Sequence, residues 1–247
     1  MLSPEDIGKF HEQGYLVCST GLSAGAMDRA RRSCEEALRA PGYCNQPTVH
    51  RHLDAAAVHG LCTLDAVLDG VAAILGPDLL LWHSRFFDKA PGAMAIPWHQ
   101  DMSFWPIDPD LCVSAWIAID RSDRTNGCME VIPGSHRRRV PHVASVQTGR
   151  FTQHADPEHF DTAGKATIEL DPGQFLLFDR WLLHSSPPNR SERRRLGLSA
   201  RYVPTEVKVS VEIMSPSFPE LAPQLVRGQD RFGHNRLTRA PAPIVPA

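Results

Sequence analysis

Residues 111–135 read LCVSAWIAIDRSDRTNGCMEVIPGS. Leu111–Asp120 is an apolar run with Val, Trp and Ile at strand-like positions, and Thr125-Asn126-Gly127 is a turn signal. Cys128–Ile132 is a second apolar run, closed by Pro133-Gly134-Ser135. Strand, turn, strand and turn, with no room for a helix between, is the unit of an antiparallel sheet. The pattern extends in both directions. Leu79–Asp88 and Ala95–Phe104 come before, parted by Ala90-Pro91-Gly92. Ala166–Leu170, Gln174–Phe178, Leu182–Ser185, Arg195–Val203 and Val207–Met214 come after, punctuated by Asp171-Pro172-Gly173 and Pro187-Pro188-Asn189. Many short strands without intervening helices predict a mainly β protein, built as an antiparallel sandwich or barrel.

The first 76 residues read differently. Ser3 is placed to cap a helix with Pro4 at its first position, Ile7 and Phe10 on its apolar face and Gly14 at its end. Tyr15-Leu16-Val17-Cys18 reads as a short strand. Ser23 caps a second helix to Leu38, with Met27, Cys34 and Leu38 on one side, and a third helix is expected over Leu61–Leu75, stopped by Gly76-Pro77. The expected plan is one domain over residues 1–240, helical over 1–76 and β over 79–214, with a Pro-rich disordered tail at 240–247. The polar insertion at 137–165 has the length of a lid or binding loop.

Of 247 residues 42% are hydrophobic and 22% charged, as in an ordinary globular protein. The net charge of −2 gives no electrostatic case for a nucleic-acid partner. No apolar run approaches the ~18–20 residues of a membrane-spanning helix. The acidic start Ser3-Pro4-Glu5-Asp6 lacks the order of a secretory signal, so a cytoplasmic location is expected. Six cysteines are scattered without a CxxC pair, which removes zinc-finger and thioredoxin readings and leaves buried thiols. Walker A, GxSxG and GxGxxG motifs are absent from the sequence, which weakens kinase, hydrolase and dinucleotide readings.

Trp98-His99-Gln100-Asp101 is the tetrapeptide richest in chemistry. On a strand, His99 and Asp101 share a face while Gln100 points away. An imidazole and a carboxylate side by side suit a divalent metal, although HxD alone is a common chance match in a chain with 12 histidines. His184, straight after the run around Trp181-Leu182-Leu183, supplies a third ligand. Two histidines and one carboxylate form a facial triad that leaves the opposite coordination face open, as non-heme Fe(II) requires. Arg195 follows beyond the Pro187-Pro188-Asn189 turn, and two adjacent antiparallel strands joined by that turn would carry it toward the metal. Its planar guanidinium grips a carboxylate through paired donors.

The order Trp98-His99-Gln100-Asp101, Ala115-Trp116, Asn126-Gly127-Cys128, Ile132-Pro133-Gly134-Ser135-His136, Phe178-Asp179, His184-Ser185-Ser186-Pro187-Pro188-Asn189 and Arg195 resembles the phytanoyl-CoA dioxygenase family from Met1 to about Tyr202. The resemblance implies a double-stranded β-helix (jelly roll, cupin-like) with N-terminal helices, using Fe(II), 2-oxoglutarate and O2 on a small-molecule substrate. It implies that His99, Asp101 and His184 hold iron, and that Arg195 binds the distal carboxylate of 2-oxoglutarate, assisted by Ser186 and Trp116. Related halogenases carry Ala or Gly where Asp101 stands, so halogenation is not implied; hydroxylation is the expected reaction, with desaturation, epoxidation and cyclisation open beside it. The substrates of the family span acyl-CoA esters, amino acids, osmolytes and secondary metabolites, and the fold does not choose among them. A secondary-metabolite intermediate, an amino acid or an acyl-CoA is the expected class.

Several residues keep two readings. His83 and Arg85 alternate on one strand face with Phe87, to touch 2-oxoglutarate or an anionic substrate, or to sit in solvent. Phe104 and Trp105 shape a substrate pocket or pack a core. Arg201 shares a face with Arg195 and meets an acidic substrate group, or forms a surface ion pair. Lys89 is expected to be solvated, as are Arg137-Arg138-Arg139, and His136 to be structural. Two alternatives to the oxygenase remain at this point: a cupin-like metalloenzyme that needs no 2-oxoglutarate, and a non-catalytic binding module.

Overall fold

The computed structural model describes residues 2–144, 152–210 and 221–241. Ser3 opens helix α1 (Pro4–Gln13) with a capping box. Its hydroxyl accepts the Asp6 amide and the Asp6 carboxylate accepts the Ser3 amide. Gly14 ends the helix at φ 82°, a conformation that favours glycine. Strand β1 (Tyr15–Ser19) follows, then α2 (Ala24–Arg39), capped by Ser23. The single helix expected over Leu61–Leu75 is two, α3 (Ala56–Cys62) and α4 (Asp65–Leu75), bent by 46° at the break. At Thr63 the hydroxyl donates to the His59 carbonyl at 2.9 Å, and Leu64 adopts φ −55°, ψ 136°, outside the helical region. Periodicity alone could not register the break, because buried apolar residues continue on both sides of it, Leu61 and Cys62 before and Val67 and Leu68 after.

The remaining strands are β2 (Leu79–Lys89), β3 (Ile96–His99), β4 (Ile107–Asp108), β5 (Val113–Ala118), β6 (Met129–Val131), β7 (His142–Ala144), β8 (Gln153–Ala155), β9 (Ala166–Ile168), β10 (Gln174–Asp179), β11 (His184–Ser186), β12 (Arg195–Pro204), β13 (Lys208–Val209) and β14 (Gln224–Arg227). They form a six-stranded sheet ordered β1-β10-β5-β12-β2-β14 and a four-stranded sheet ordered β3-β11-β6-β9, with two small ribbons, β13-β4 and β7-β8. All the pairings between named strands are antiparallel.

Alternation decides what each face meets. Val113, Ala115 and Ile117 of β5 and Leu196, Leu198 and Ala200 of β12 pack against Phe10, Cys34, Val58, Val67 and Val71 of the helices. Trp116 and Ala118, on the other face, join Met129, Val131 and Ile168 of the smaller sheet. Each Leu or Val buried so contributes about 1.5–3 kcal/mol. The helices therefore lie outside the larger sheet, and the two sheets face each other across a shared interior. Gly70 of α4 marks the closest approach, because a Cβ there would lie 2.9 Å from Leu177 Cδ1. No single described helix is long and apolar enough to cross a membrane; α3 and α4 pass such a test only together, and both bury residues in the core.

Three expectations change. The strand expected over Ala95–Phe104 stops at His99, and a tight 3-10 turn takes Asp101–Phe104. The strand expected over Val207–Met214 is two residues long among the described ones, and 211–214 lie outside them. β14, beyond any recognised pattern, adds an edge strand to β2. Of the expected insertion, β7 and β8 form a short ribbon and 145–151 fall outside the described residues, as do 242–247 of the expected tail.

Candidate active site

His99 is the last residue of β3, and its register partner across the pair is His184 of β11. The two rings therefore meet, with centroids 4.1 Å apart. Each Nδ1 faces a backbone carbonyl two residues back, Pro97 for His99 and Leu182 for His184, both at 2.9 Å. A carbonyl only accepts, so each Nδ1 carries the proton and each Nε2 is left with its lone pair toward the interior. Burial, and His99 beside it, push His184 down to about 4, so its ring is neutral at working pH.

Asp101 reaches the same point by another route. Gln100 is extended (φ −115°, ψ 123°), which turns His99 and Asp101 to one side although Asp101 already begins the 3-10 turn. The Gln100 side chain points away and is fully buried. Its amide donates to the carbonyls of Arg138 (2.8 Å) and Trp181 (2.6 Å), and its oxygen accepts the Val140 amide (2.8 Å). The Asp101 carboxylate lies 3.6 Å from His99 Nε2. Burial raises its affinity for a proton, but this is outweighed, chiefly by the Arg201 guanidinium 3.6 Å from Oδ2, and the carboxyl is held well below the usual carboxylate range. Ligand atoms of His99, Asp101 and His184 lie within 4.8 Å of one another, all three residues are buried, and Asp101 Oδ2 has no hydrogen-bond partner. Two imidazole lone pairs and an orphaned carboxylate oxygen around one point are a donor set for a divalent transition metal.

A narrow cavity runs from this cluster between the sheets, lined also by Trp116, Phe178, Ser186, Ser199 and Arg195. Arg195 opens β12 and is 2% exposed. Its Nη1 donates to Ser186 Oγ at 3.1 Å and to the Gly127 carbonyl, and its guanidinium lies over the Trp116 ring, 5.2 Å from the centroid. Burial lowers its pKa to about 10, so it remains charged. The route to this position differs from the expected hairpin. β11 and β12 belong to different sheets, and the loop between them crosses from the small sheet to the large one, pinned by Asn189 Nδ2 on the carbonyls of Lys89 and Arg193.

His83, Arg85, Phe104, Trp105 and Arg201 line a neighbouring cavity of about 200 Å³ that shares Phe87, His99, Asp101 and Arg201 with the first. His83 stands opposite Arg201 in the β2–β12 register, away from Arg195, and its Nδ1 accepts from Arg201 Nη1 at 2.7 Å. Burial, then Arg201, hold His83 well below its ordinary pKa, which suits a neutral acceptor. Arg201 forms no surface pair: it is 6% exposed, 3.6 Å from Asp101 Oδ2 and stacked over Trp105 at 4.7 Å. Arg85 lies over Phe87 at 5.8 Å. Phe104 is partly exposed, with its ring 6.4 Å from that of His99.

Two parts of the site had no sequence signal. Lys89, expected in solvent, is buried beside Ser186. Gln100, read only as the residue pointing away, holds the metal-facing pair in place. Arg139 is a surface group, paired with Asp110 at 2.7 Å and stacked on Trp181, and Arg137 and His136 sit near the His11 carbonyl.

Comparison with known proteins agrees with this geometry. Residues 10–197 match the family described as phytanoyl-CoA dioxygenase. A probable phytanoyl-CoA dioxygenase of Caenorhabditis elegans is 24% identical over 97% of this chain and 86% of its own. A probable alpha-ketoglutarate-dependent hypophosphite dioxygenase of Stutzerimonas stutzeri is 30% identical over 61% of this chain and 54% of its own. The solved structure of CytC3 with Fe(II) and alpha-ketoglutarate superposes with a TM-score of 0.75, is 26% identical, and covers 97% of this chain and 93% of that one. The two facing sheets are thus those of a jelly-roll oxygenase. The family match spans most of the chain and meets a buried two-histidine, one-carboxylate cluster, so this protein belongs to the phytanoyl-CoA dioxygenase family and is an Fe(II)- and 2-oxoglutarate-dependent oxygenase.

Proposed function

We propose that this oxygenase hydroxylates a small organic anion, held in the cavity of about 200 Å³ beside the metal cluster. The observation that carries this reading is the charge of that cavity. Among the described residues that line it are two guanidiniums, Arg85 and Arg201, and one carboxylate, Asp101, which in this reading is a metal ligand. Phe87, Phe104 and Trp105 give it apolar walls that suit the carbon part of such a substrate. The hypophosphite named for the Stutzerimonas relative is itself a small anion, which supports a cavity of this sign.

In this reading His99, Asp101 and His184 hold iron. Arg195 takes the distal carboxylate of 2-oxoglutarate, with Ser186 as a further donor and Trp116 as the wall behind the guanidinium. Iron, 2-oxoglutarate and O2 together supply the oxidising power for a C–H bond, with succinate and CO2 as co-products. The protein's own groups position and shield. The Nδ1 bonds fix both rings, Gln100 fixes the strand end, and Phe178 and Trp116 exclude water from the narrow cavity.

The test is succinate release from the Fe(II)-loaded enzyme against a library of small carboxylates, phosphonates and neutral analogues. Anions are expected to stimulate it, and stimulation by neutral compounds alone would overturn the substrate class. Arg85→Met is expected to raise the substrate KM by roughly 10- to 100-fold, the loss of one charged hydrogen bond, with the KM for 2-oxoglutarate unchanged.

A further inference from the structure

Lys9, Lys165 and Lys208 are exposed, whereas Lys89 is 4% exposed. It closes β2, directly opposite Arg195 in the β2–β12 register. Its Nζ donates to Ser186 Oγ at 2.6 Å, to the Ser186 carbonyl at 3.2 Å and to the Pro187 carbonyl. All three acceptors are uncharged. Arg195 donates to the same Ser186 hydroxyl, so two buried cations flank one oxygen. The lysine stem passes Gly127, where a Cβ would lie 3.2 Å from Lys89 Cδ and 2.4 Å from the Pro187 carbonyl oxygen.

Around this pair, Arg85 of β2 lines an outer cavity of about 550 Å³ together with Lys89 and Arg195. From β12 comes Arg195, and from β11 Ser186. From the turn before β6 comes Cys128, whose thiol burial pushes up to about 11 and so keeps neutral. Asp88, next to Lys89 on β2, is exposed. No described carboxylate lies within ion-pair distance of Lys89 or Arg195. Buried charges in proteins are normally paired, and two like charges set together invite an anion.

We propose that Lys89 supplies a second positive charge to the subsite for the distal carboxylate of 2-oxoglutarate, acting beside Arg195 and through Ser186. The proposal rests on the reading that Arg195 and Ser186 hold that carboxylate, and it adds a positioning residue with a consequence of its own. Burial, and then Arg195, press the ammonium down to about 7 in the protein alone. An arriving carboxylate stabilises the charged form and draws the pKa back up. Above about pH 7 the keto acid therefore binds together with a proton, and its affinity falls by up to about tenfold per pH unit. A lysine that only tied down the 186–187 carbonyls would affect melting and leave the proton count of binding untouched.

Calorimetric titration of 2-oxoglutarate into the Ni(II)-loaded protein reads this without turnover. Titrations in two buffers of different ionisation enthalpy, between about pH 6.5 and 8.5, count the protons. The wild type is expected to take up a growing fraction of a proton across that range. Lys89→Met is expected to bind roughly tenfold or more weakly at the acid end and to take up none, a loss equal to at least one pKa unit of coupling. Lys89→Arg is expected to keep the affinity and lose the pH dependence, and it carries the test with the wild-type proton count if Lys89→Met fails to fold. Pyruvate, a 2-keto acid without the distal carboxylate, is expected to bind without the uptake. No uptake by the wild type, or equal affinity in Lys89→Met, overturns the role of Lys89. Arg195→Met separates the two layers. If it weakens binding while Lys89→Met does not, only this inference fails; if neither weakens it, the assignment of the carboxylate subsite fails with it.

Discussion

Replacing His184 with alanine is expected to abolish 2-oxoglutarate turnover, by roughly 10³-fold or more, while leaving the protein folded. Its imidazole is one of only two nitrogen donors in the cluster, and the Leu182 carbonyl fixes which ring nitrogen carries the lone pair. Without it, His99 and Asp101 remain as a two-point site from one strand end, too few ligands to keep iron through gel filtration. Metal analysis of the eluted protein, together with succinate release, checks this. The fold should survive because the ring contributes no hydrogen bond to another strand's backbone: its Nδ1 partner lies two residues away on its own chain segment. A variant that keeps stoichiometric iron and most of its turnover would remove His184 from the metal site.

The second large effect is expected at a residue that touches neither metal nor substrate. Gly197 follows Arg195 by two positions, on the face of β12 that looks into the interior, and a Cβ there would lie 2.0 Å from Trp116 Cζ2 and 2.4 Å from Cε2. Its φ is not in the left-handed region, so the requirement for glycine comes from contact alone. Trp116 is 3% exposed and packed among Met129, Leu176 and Phe178, so the indole has little room to yield. Gly197→Ala is expected to cost about 1–3 kcal/mol through overpacking. In a chain of this size that lowers the melting temperature by about 2–4 °C per kcal/mol. The Trp116 ring also lies under the Arg195 guanidinium, so its displacement should raise the KM for 2-oxoglutarate well above any change in kcat. Unchanged melting and unchanged KM together would show that the ring moves aside freely.

The residues that were legible in the sequence share a property: their partners are near in the chain or imposed by a period. Ser3 caps Asp6 three positions on, and the alternation of β5 sends Val113 and Ile117 to the helices and Trp116 to the interior. His99 and Asp101 are two apart and converge as expected, even though a 3-10 turn, rather than a strand, presents the acid. What escaped depends on meetings between distant segments. Lys89 looked like a solvated turn residue because its acceptors, at Ser186 and Pro187, come from another sheet. Arg201 kept two readings, a substrate contact or a surface ion pair, because Asp101, its partner, arrives from β3's end. The break between Cys62 and Asp65 is a local event, but one that hydrophobic periodicity does not encode.

Since the Pro97 and Leu182 carbonyls, rather than any ion, aim the two Nε2 atoms, the socket is assembled before its occupant arrives. A rigid nitrogen-and-oxygen socket of that kind discriminates weakly among first-row ions and follows the Irving–Williams order, holding Ni(II), Cu(II) or Zn(II) more tightly than Fe(II). Ferrous loading is then governed by which ion is supplied and kept reduced, so protein isolated in air will tend to carry the wrong cargo and need stripping and refilling before its catalysis can be judged.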